Sequence, residues 1–266
     1  MKYVLVTGAS GGMGRATVRV LSEHGYGVFA LDRRLCEDAA ELPHVIPLEA
    51  DITDEASVLR VLDEVLKVTD KLFAIVHFAG IYMLDSLVEM PREKFERIFH
   101  INVFGAYLVN RSFLPLLGVG SRIVMTTSEL AVLDPLPFTG IYAVTKAALD
   151  KYAYALRMEV QLLGISVSVL RAGAVKTDML GVSTRALDDF CAGTKLYRCN
   201  AVRFKRIVDN VEAKSVSPEK IAGKTLGILQ AKRPAFAYSI NRNPLLRMLD
   251  VLPVRMQLWM IRRILS

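Results

Sequence analysis

A chain of 266 residues, 52% hydrophobic and 23% charged, is too apolar for a disordered polymer and long enough to bury one large core. Its net charge of +7 is unevenly placed: residues 192–266 hold 15 Lys and Arg against 4 Asp and Glu, leaving the rest at −4. Cys36, Cys191 and Cys199 show no paired spacing, which argues against a disulfide framework or any metal site and for a reducing compartment.

Apolar runs at Tyr3–Thr7, Val28–Leu31, Val45–Pro47, Leu72–Phe78, Arg122–Thr127 and Ser166–Leu170 have the length of buried strands. Between them, helical periodicity predicts Gly14–His24, Glu55–Val68, Arg92–Leu116 and Ile141–Leu163. The alternation implies an α/β fold, a parallel sheet with helices on both faces. From Thr177 to Ser217 no strong period emerges, as expected of a substrate-covering segment or of a plain variable loop. Ser217-Pro218-Glu219 then opens a helix through Gln230, with Pro at its first position. The opening apolar run is too short for a signal peptide, and no stretch of about 18 apolar residues follows, so no spanning helix is expected.

Val4-Leu5-Val6-Thr7-Gly8-Ala9-Ser10-Gly11-Gly12-Met13-Gly14 places a buried strand before a glycine-rich turn and a helix after it. Glycines admit a pyrophosphate close to the backbone, and the free N–H groups at the helix start favour its charge. Asp32, at the end of the second strand, would accept hydrogen bonds from adenosine ribose hydroxyls and repel a 2′-phosphate, which favours NAD. Arg33 and Arg34 follow it and leave NADP as the alternative. Asp51, after the third strand, would reach the adenine edge or cap the helix beginning near Asp54, where Thr53 would cap better.

Tyr142 and Lys146 stand one helical turn apart and share a face. A phenol is a poor acid-base group at neutral pH, and a nearby ammonium is expected to lower its pKa.

Together, Thr7-Gly8-Ala9-Ser10-Gly11-Gly12-Met13-Gly14, Asp51, Ala79-Gly80, Asn102, Ser128 and Tyr142-Ala143-Val144-Thr145-Lys146 resemble the short-chain dehydrogenase/reductase family over roughly residues 1–180. The resemblance implies a single-domain Rossmann-type, doubly wound parallel sheet of seven strands and hydride transfer between NAD(P) and an alcohol or carbonyl. On it, Tyr142 is the general acid/base, Lys146 tunes it and holds the nicotinamide ribose, Ser128 binds the substrate oxygen, and Asn102 holds a relay water. The cofactor would meet Gly8, Ser10, Gly11, Gly12, Met13, Gly14, Asp32, Arg33, Asp51, Ile52, Ala79, Gly80, Tyr142, Lys146, Gly173, Val175 and Thr177. The chain departs from the family pattern at His77-Phe78-Ala79-Gly80, where Asn-Asn-Ala-Gly is usual, so a bracing asparagine is absent and His77 is either its replacement or a packed core residue. It departs again at Ala172-Gly173, where Pro-Gly is usual, and in the fourteen-residue step from Ser128 to Tyr142, which leaves Thr127 as the fallback serine equivalent.

The expected organisation is a catalytic domain over 1–240, with 177–217 covering the substrate, and a basic amphipathic extension over 241–266. After Pro253 the extension reads as a short helix rich in Leu, Met, Trp and Arg that packs on its own domain or a second subunit, or lies on an anionic membrane. Nucleic-acid binding is not expected, since no motif accompanies the charge. The high mean hydropathy of +0.33 points to an apolar substrate, such as a hydroxysteroid, retinoid or lipid alcohol. A 3-oxoacyl thioester reductase is the alternative enzyme, and a catalytically silent dinucleotide-binding regulator the alternative of another class. A cytoplasmic protein, peripheral to a membrane if the tail binds one, is expected, and the resemblance implies a homodimer or homotetramer.

Overall fold

Residues Tyr3–Thr7 form β1, and their alternating side chains divide between two faces that are both apolar: Val4 and Val6 pack one way, Leu5 the other. The same division recurs in β2 (Gly27–Asp32), where Phe29 and Leu31 oppose Val28 and Ala30. This two-sided burial is why the strands read as unbroken apolar runs. The computed structural model describes the backbone of every residue except 35, 36 and 213, and the side chains of all but 35–38, 178–185 and 210–213. Cys36 therefore lies outside the described residues, while Cys191 and Cys199 carry free thiols.

In chain order β1 is followed by α1 (Gly12–Glu23), β2, α2 (Glu37–Ala40), β3 (Val45–Glu49), α3 (Glu55–Leu66) and β4 (Leu72–His77). Then come α4 (Arg92–Phe99), α5 (Gly105–Phe113), β5 (Leu117–Ser128), α6 (Gly140–Val160) and β6 (Ser166–Ala172). The chain ends with α7 (Asp178–Gly193), α8 (Arg198–Glu212), α9 (Pro218–Gln230), β7 (Ala237–Ile240), α10 (Pro244–Asp250) and α11 (Val254–Leu265). The strands pair in parallel in the order β3-β2-β1-β4-β5-β6-β7. Helices α1 and α9 cover one face, and α3, α5 and α6 the other. This is a Rossmann-type doubly wound sheet. The order reverses between β1 and β4, so a crevice opens beyond their carboxyl ends, where such sheets bind ligands.

Three expectations are corrected. The helix expected over Arg92–Leu116 is interrupted: a π-helical turn at His100–Phe104 separates α4 from α5, and a 3₁₀ turn at Leu114–Leu116 ends it. The seemingly aperiodic stretch from Thr177 to Ser217 holds α7 and α8. Its apolar residues Ala201, Phe204 and Val208 follow a helical spacing that the interleaved Arg198, Arg203, Lys205 and Arg206 obscure. The cap of α3 is Asp54, whose carboxylate accepts from Ala56 N at 3.1 Å, so neither Asp51 nor Thr53 fills that position.

The tail packs on its own chain. A third apolar cluster joins Leu187 and Phe190 of α7 to Phe204 and Val208 of α8 and to Leu265 of α11. Asn200 Nδ2 donates to Leu265 O at 2.7 Å, and Gln257 Nε2 to Asp134 Oδ2 at 3.0 Å. Among the described residues no helix is long and apolar enough to cross a membrane.

Candidate active site

The turn after β1 is shaped by close backbone approaches. Gly8 has φ +71°, and a Cβ there would stand 2.5 Å from Ala79 N, so the turn presses directly on the chain leaving β4. A Cβ on Gly14 would lie 2.0 Å from Gly8 O, and one on Gly12 would lie 2.8 Å from Thr177 Cγ2. Gly11 occupies the N-cap of α1 without a side-chain cap, and the first turn carries no acidic residue, so its N–H groups face the crevice free of a competing anion. Gly8, Gly12 and Gly14 are thus packed into one tight turn, with Thr177, expected at the nicotinamide, standing against Gly12.

Asp32 stands at the end of β2 beside that turn. Its Oδ2 accepts from Ser10 N at 2.9 Å and its Oδ1 from Arg33 N at 2.7 Å, which fixes the carboxylate at the crevice edge with lone pairs to spare. The Ser10 hydroxyl turns away, donating to Arg34 O at 2.7 Å, while Arg33 and Arg34 are exposed. Asp51 accepts from Thr53 N and Thr53 Oγ1, and the Thr53 hydroxyl bond foremost holds its carboxyl below the usual value. Ile52 is buried against Gly105.

On the other side of the crevice, Ser128 ends β5 and Tyr142 and Lys146 project from the first turns of α6. With Met13, Gly80, Gly173, Val175 and Thr177 they line a cavity of about 170 Å³. Its remaining wall is largely apolar, including Phe78, Ile81, Leu130 and Leu136, with Phe204, Ile207 and Val208 from α8 and Leu246 from α10. Thr127 is not the serine equivalent in this geometry. Its hydroxyl donates to Asp150 Oδ1 at 3.1 Å, and Asp150 is held bidentately by Arg171, whereas Ser128 lines the cavity together with Tyr142.

Burial pushes the Tyr142 phenol up to about 12, against which the neighbouring Ser128 side chain is the smaller, opposing influence. This reverses the expected effect of Lys146. The lysine is itself lowered to about 8 by burial, its Nζ donates to Thr126 O at 3.1 Å, and it lies 5.7 Å from the Tyr142 ring centre. Desolvation of the phenolate therefore outweighs a cation aimed elsewhere, and Tyr142 carries its proton at neutral pH. With one N–H used on Thr126 O, Lys146 keeps its other donors for hydroxyl groups brought into the crevice.

Asn102 sits in the π-helical turn, where the shift in helical register points it inward. Its Oδ1 accepts from Ile81 N at 2.8 Å, and its Nδ2 donates to Ile81 O and to Thr145 Oγ1. Both amide protons are thus used on protein partners, and its side chain offers a water only an acceptor. The bracing role left vacant before Ala79 falls to His77. Its Nε2–H donates to Asn110 Oδ1 at 2.9 Å, Asn110 donates to Tyr152 OH, and burial lowers the imidazole to about 4, keeping it neutral.

Two site residues escaped the sequence reading. Tyr82 packs edge-on against Tyr142, ring centres 4.6 Å apart at 87°. Glu129 is buried beside Ser128, accepts from Asn243 N at 2.7 Å, and is raised by burial. Its position directly after Ser128 was the available signal; for Tyr82, in an irregular loop, there was none.

A Rossmann-type sheet with these groups gathered at its carboxyl edge defines a nicotinamide-nucleotide oxidoreductase. Residues 2–188 match the short chain dehydrogenase family, and the chain belongs to it. It is 24% identical over 93% of its length, and 90% of the relative's, to a 3-ketodihydrosphingosine reductase of Bacteroides thetaiotaomicron. It is 27% identical to an NADPH-dependent 3-dehydrocapnine reductase of Ornithobacterium rhinotracheale, over 90% of this chain and 88% of that one. Among solved structures it resembles a 3-ketoacyl-(acyl-carrier-protein) reductase from Brucella melitensis complexed with NADH, at TM-score 0.72 and 21% identity over 90% of this chain and 96% of that one, a likeness of fold.

Proposed function

We propose that the protein interconverts a secondary or primary alcohol and its carbonyl (EC 1.1.1.-), working as a reductase on an apolar carbonyl compound. The observation that carries this reading is the gathering of Ser128, Tyr142 and Lys146 in the wall of one largely apolar cavity. The Ser128 hydroxyl holds the carbonyl oxygen, and the Tyr142 hydroxyl gives that oxygen its proton as negative charge develops. A bound nicotinamide dinucleotide supplies the hydride. The chain holds that group through the glycine cradle, through Asp32 at the adenosine ribose and through Lys146 at the nicotinamide ribose. Asp32 supports a preference for NAD, with exposed Arg33 and Arg34 the reason NADP remains a substrate.

The apolar wall supports a lipid, retinoid or hydroxysteroid as substrate, and the two reductase relatives point to the first of these. Oligomer formation is supported by exposed Phe104, at the end of the π-helical turn, Tyr107 on α5, and Val144, Tyr154 and Met158 on α6. The test is to follow reduced-cofactor absorbance with long-chain 3-keto lipids, ketosteroids, retinal and 3-oxoacyl thioesters. Turnover of a keto lipid, falling about 10³-fold in Tyr142→Phe, is expected. Preference for the thioester would instead select that reductase class. Tight cofactor binding without turnover of any compound would leave a regulator.

A further inference from the structure

The C-terminal helices leave a surface that their packing does not account for. Helix α11 turns Gln257, Ile261 and Leu265 inward, toward α8 and the loop at Asp134. Its opposite face is a ridge of Arg255, Trp259 and Arg263 at one-turn spacing, with Arg262 beside it and Leu258 on the flank. Trp259 is 67% exposed and Leu258 63%, and α10 adds Leu245, Met248 and, just beyond its end, Val251 at 84%. Large apolar side chains rarely cluster so openly on a monomer surface unless something covers them.

Charge identifies the cover. Residues 241–266 contain five arginines and one acid, Asp250, which is already engaged by Asp134 N at 2.9 Å. A second copy meeting this face about a two-fold axis at Trp259 would set Arg255 of each copy against Arg263 of the other, which disfavours self-association. An anionic bilayer offers both complements: phosphates for the arginines, and an interfacial layer for tryptophan and leucine. At 12 residues α11 is too short to cross a bilayer and long enough to lie in its surface.

We infer that α10 and α11 form a docking surface for an anionic lipid membrane, which sets the cavity lined by Leu246 of α10 against the bilayer. A groove lined by Pro244, Met248 and Val251, with Arg242, Arg247, Asp250 and Glu129 as its charged members, adjoins that cavity at Glu129. Delivery of substrate along it rests on the function proposed above; membrane binding does not.

Co-sedimentation of the full chain with vesicles tests binding independently of activity. Binding to phosphatidylglycerol/phosphatidylcholine vesicles, little binding to phosphatidylcholine alone, and release as salt rises from about 50 to about 500 mM are expected. Arg255→Gln with Arg263→Gln should weaken partitioning about 30-fold, roughly fivefold for each charge, and Trp259→Ala should weaken it further with circular dichroism unchanged. A wild-type chain that stays in the supernatant with anionic vesicles at low salt overturns the inference. So does binding that the double variant leaves intact, or an oligomer mass that falls on Trp259→Ala without any vesicle binding. If binding holds and no keto lipid is turned over, the functional reading fails while the docking surface stands.

Discussion

His77 ties folding stability to pH through a single buried imidazole. Its pKa falls from an ordinary 6.5 to about 4 because burial penalises the charged ring more than the Asn110 bond favours it. A group depressed on folding contributes stability above its unfolded pKa and withdraws it as pH falls toward the folded value, so the window runs from pH 6.5 down to pH 4. The whole shift corresponds to about 3 kcal/mol, and between pH 7 and pH 5 the loss from this group alone is about 2 kcal/mol. His77→Gln places an amide nitrogen near the position of Nε2, retains a donor for Asn110 Oδ1 and removes the titration. Urea unfolding of both proteins at pH 7 and pH 5 should therefore show the wild type losing about 2 kcal/mol more than the variant. Equal losses in the two proteins would show that His77 is not held neutral by its surroundings.

Four further outcomes follow from the site geometry. Ser128→Ala should lower kcat at least about 10²-fold in a steady-state assay, whereas Thr127→Val should leave kcat intact and cost about 1 kcal/mol in urea unfolding, because its hydroxyl serves Asp150. Gly12→Val drives a side chain into Thr177, so dinucleotide affinity by fluorescence titration should fall about tenfold or more while far-ultraviolet circular dichroism stays unchanged. Asp32→Ala removes the ribose acceptor and the anchor for Ser10 N, and the NAD-to-NADP ratio of kcat/KM should drop about tenfold; an unchanged ratio would remove Asp32 from the specificity argument.

What could be read from the residues was what depends on local period and chain order. Strand β1, the glycine turn and α1 form one continuous pattern, and the structure places Gly8, Gly12 and Gly14 where their missing side chains matter. Tyr142 and Lys146 share a helix face by spacing, whereas their roles, and Ser128 altogether, were reached through the family resemblance. The rest depends on distant partners. Nothing near His77 announces Asn110 or Tyr152, since the three meet only when α5 and α6 pack on one face of the sheet. The protonation of Tyr142 turns on how much water the surrounding cavity excludes, and its walls come partly from α8 and α10, at the opposite end of the chain from the strand that leads into the glycine turn. Strand β7 was reached only through the family resemblance, because Ala-Tyr-Ser-Ile is too short to show a period and exists by pairing with β6.

Deleting one residue from His100–Phe104 would let α4 and α5 join as a single regular α-helix, the locally favoured form. The same deletion would leave α4 and α5 nearly in phase, since the wider turn is what absorbs the extra residue, but it would take Asn102 out of the position from which it reaches Ile81 and Thr145. Over these five residues helix regularity and active-site assembly pull in opposite directions. The segment should accordingly tolerate exchange of its outward side chains, such as His100 and Phe104, far better than any change in its length.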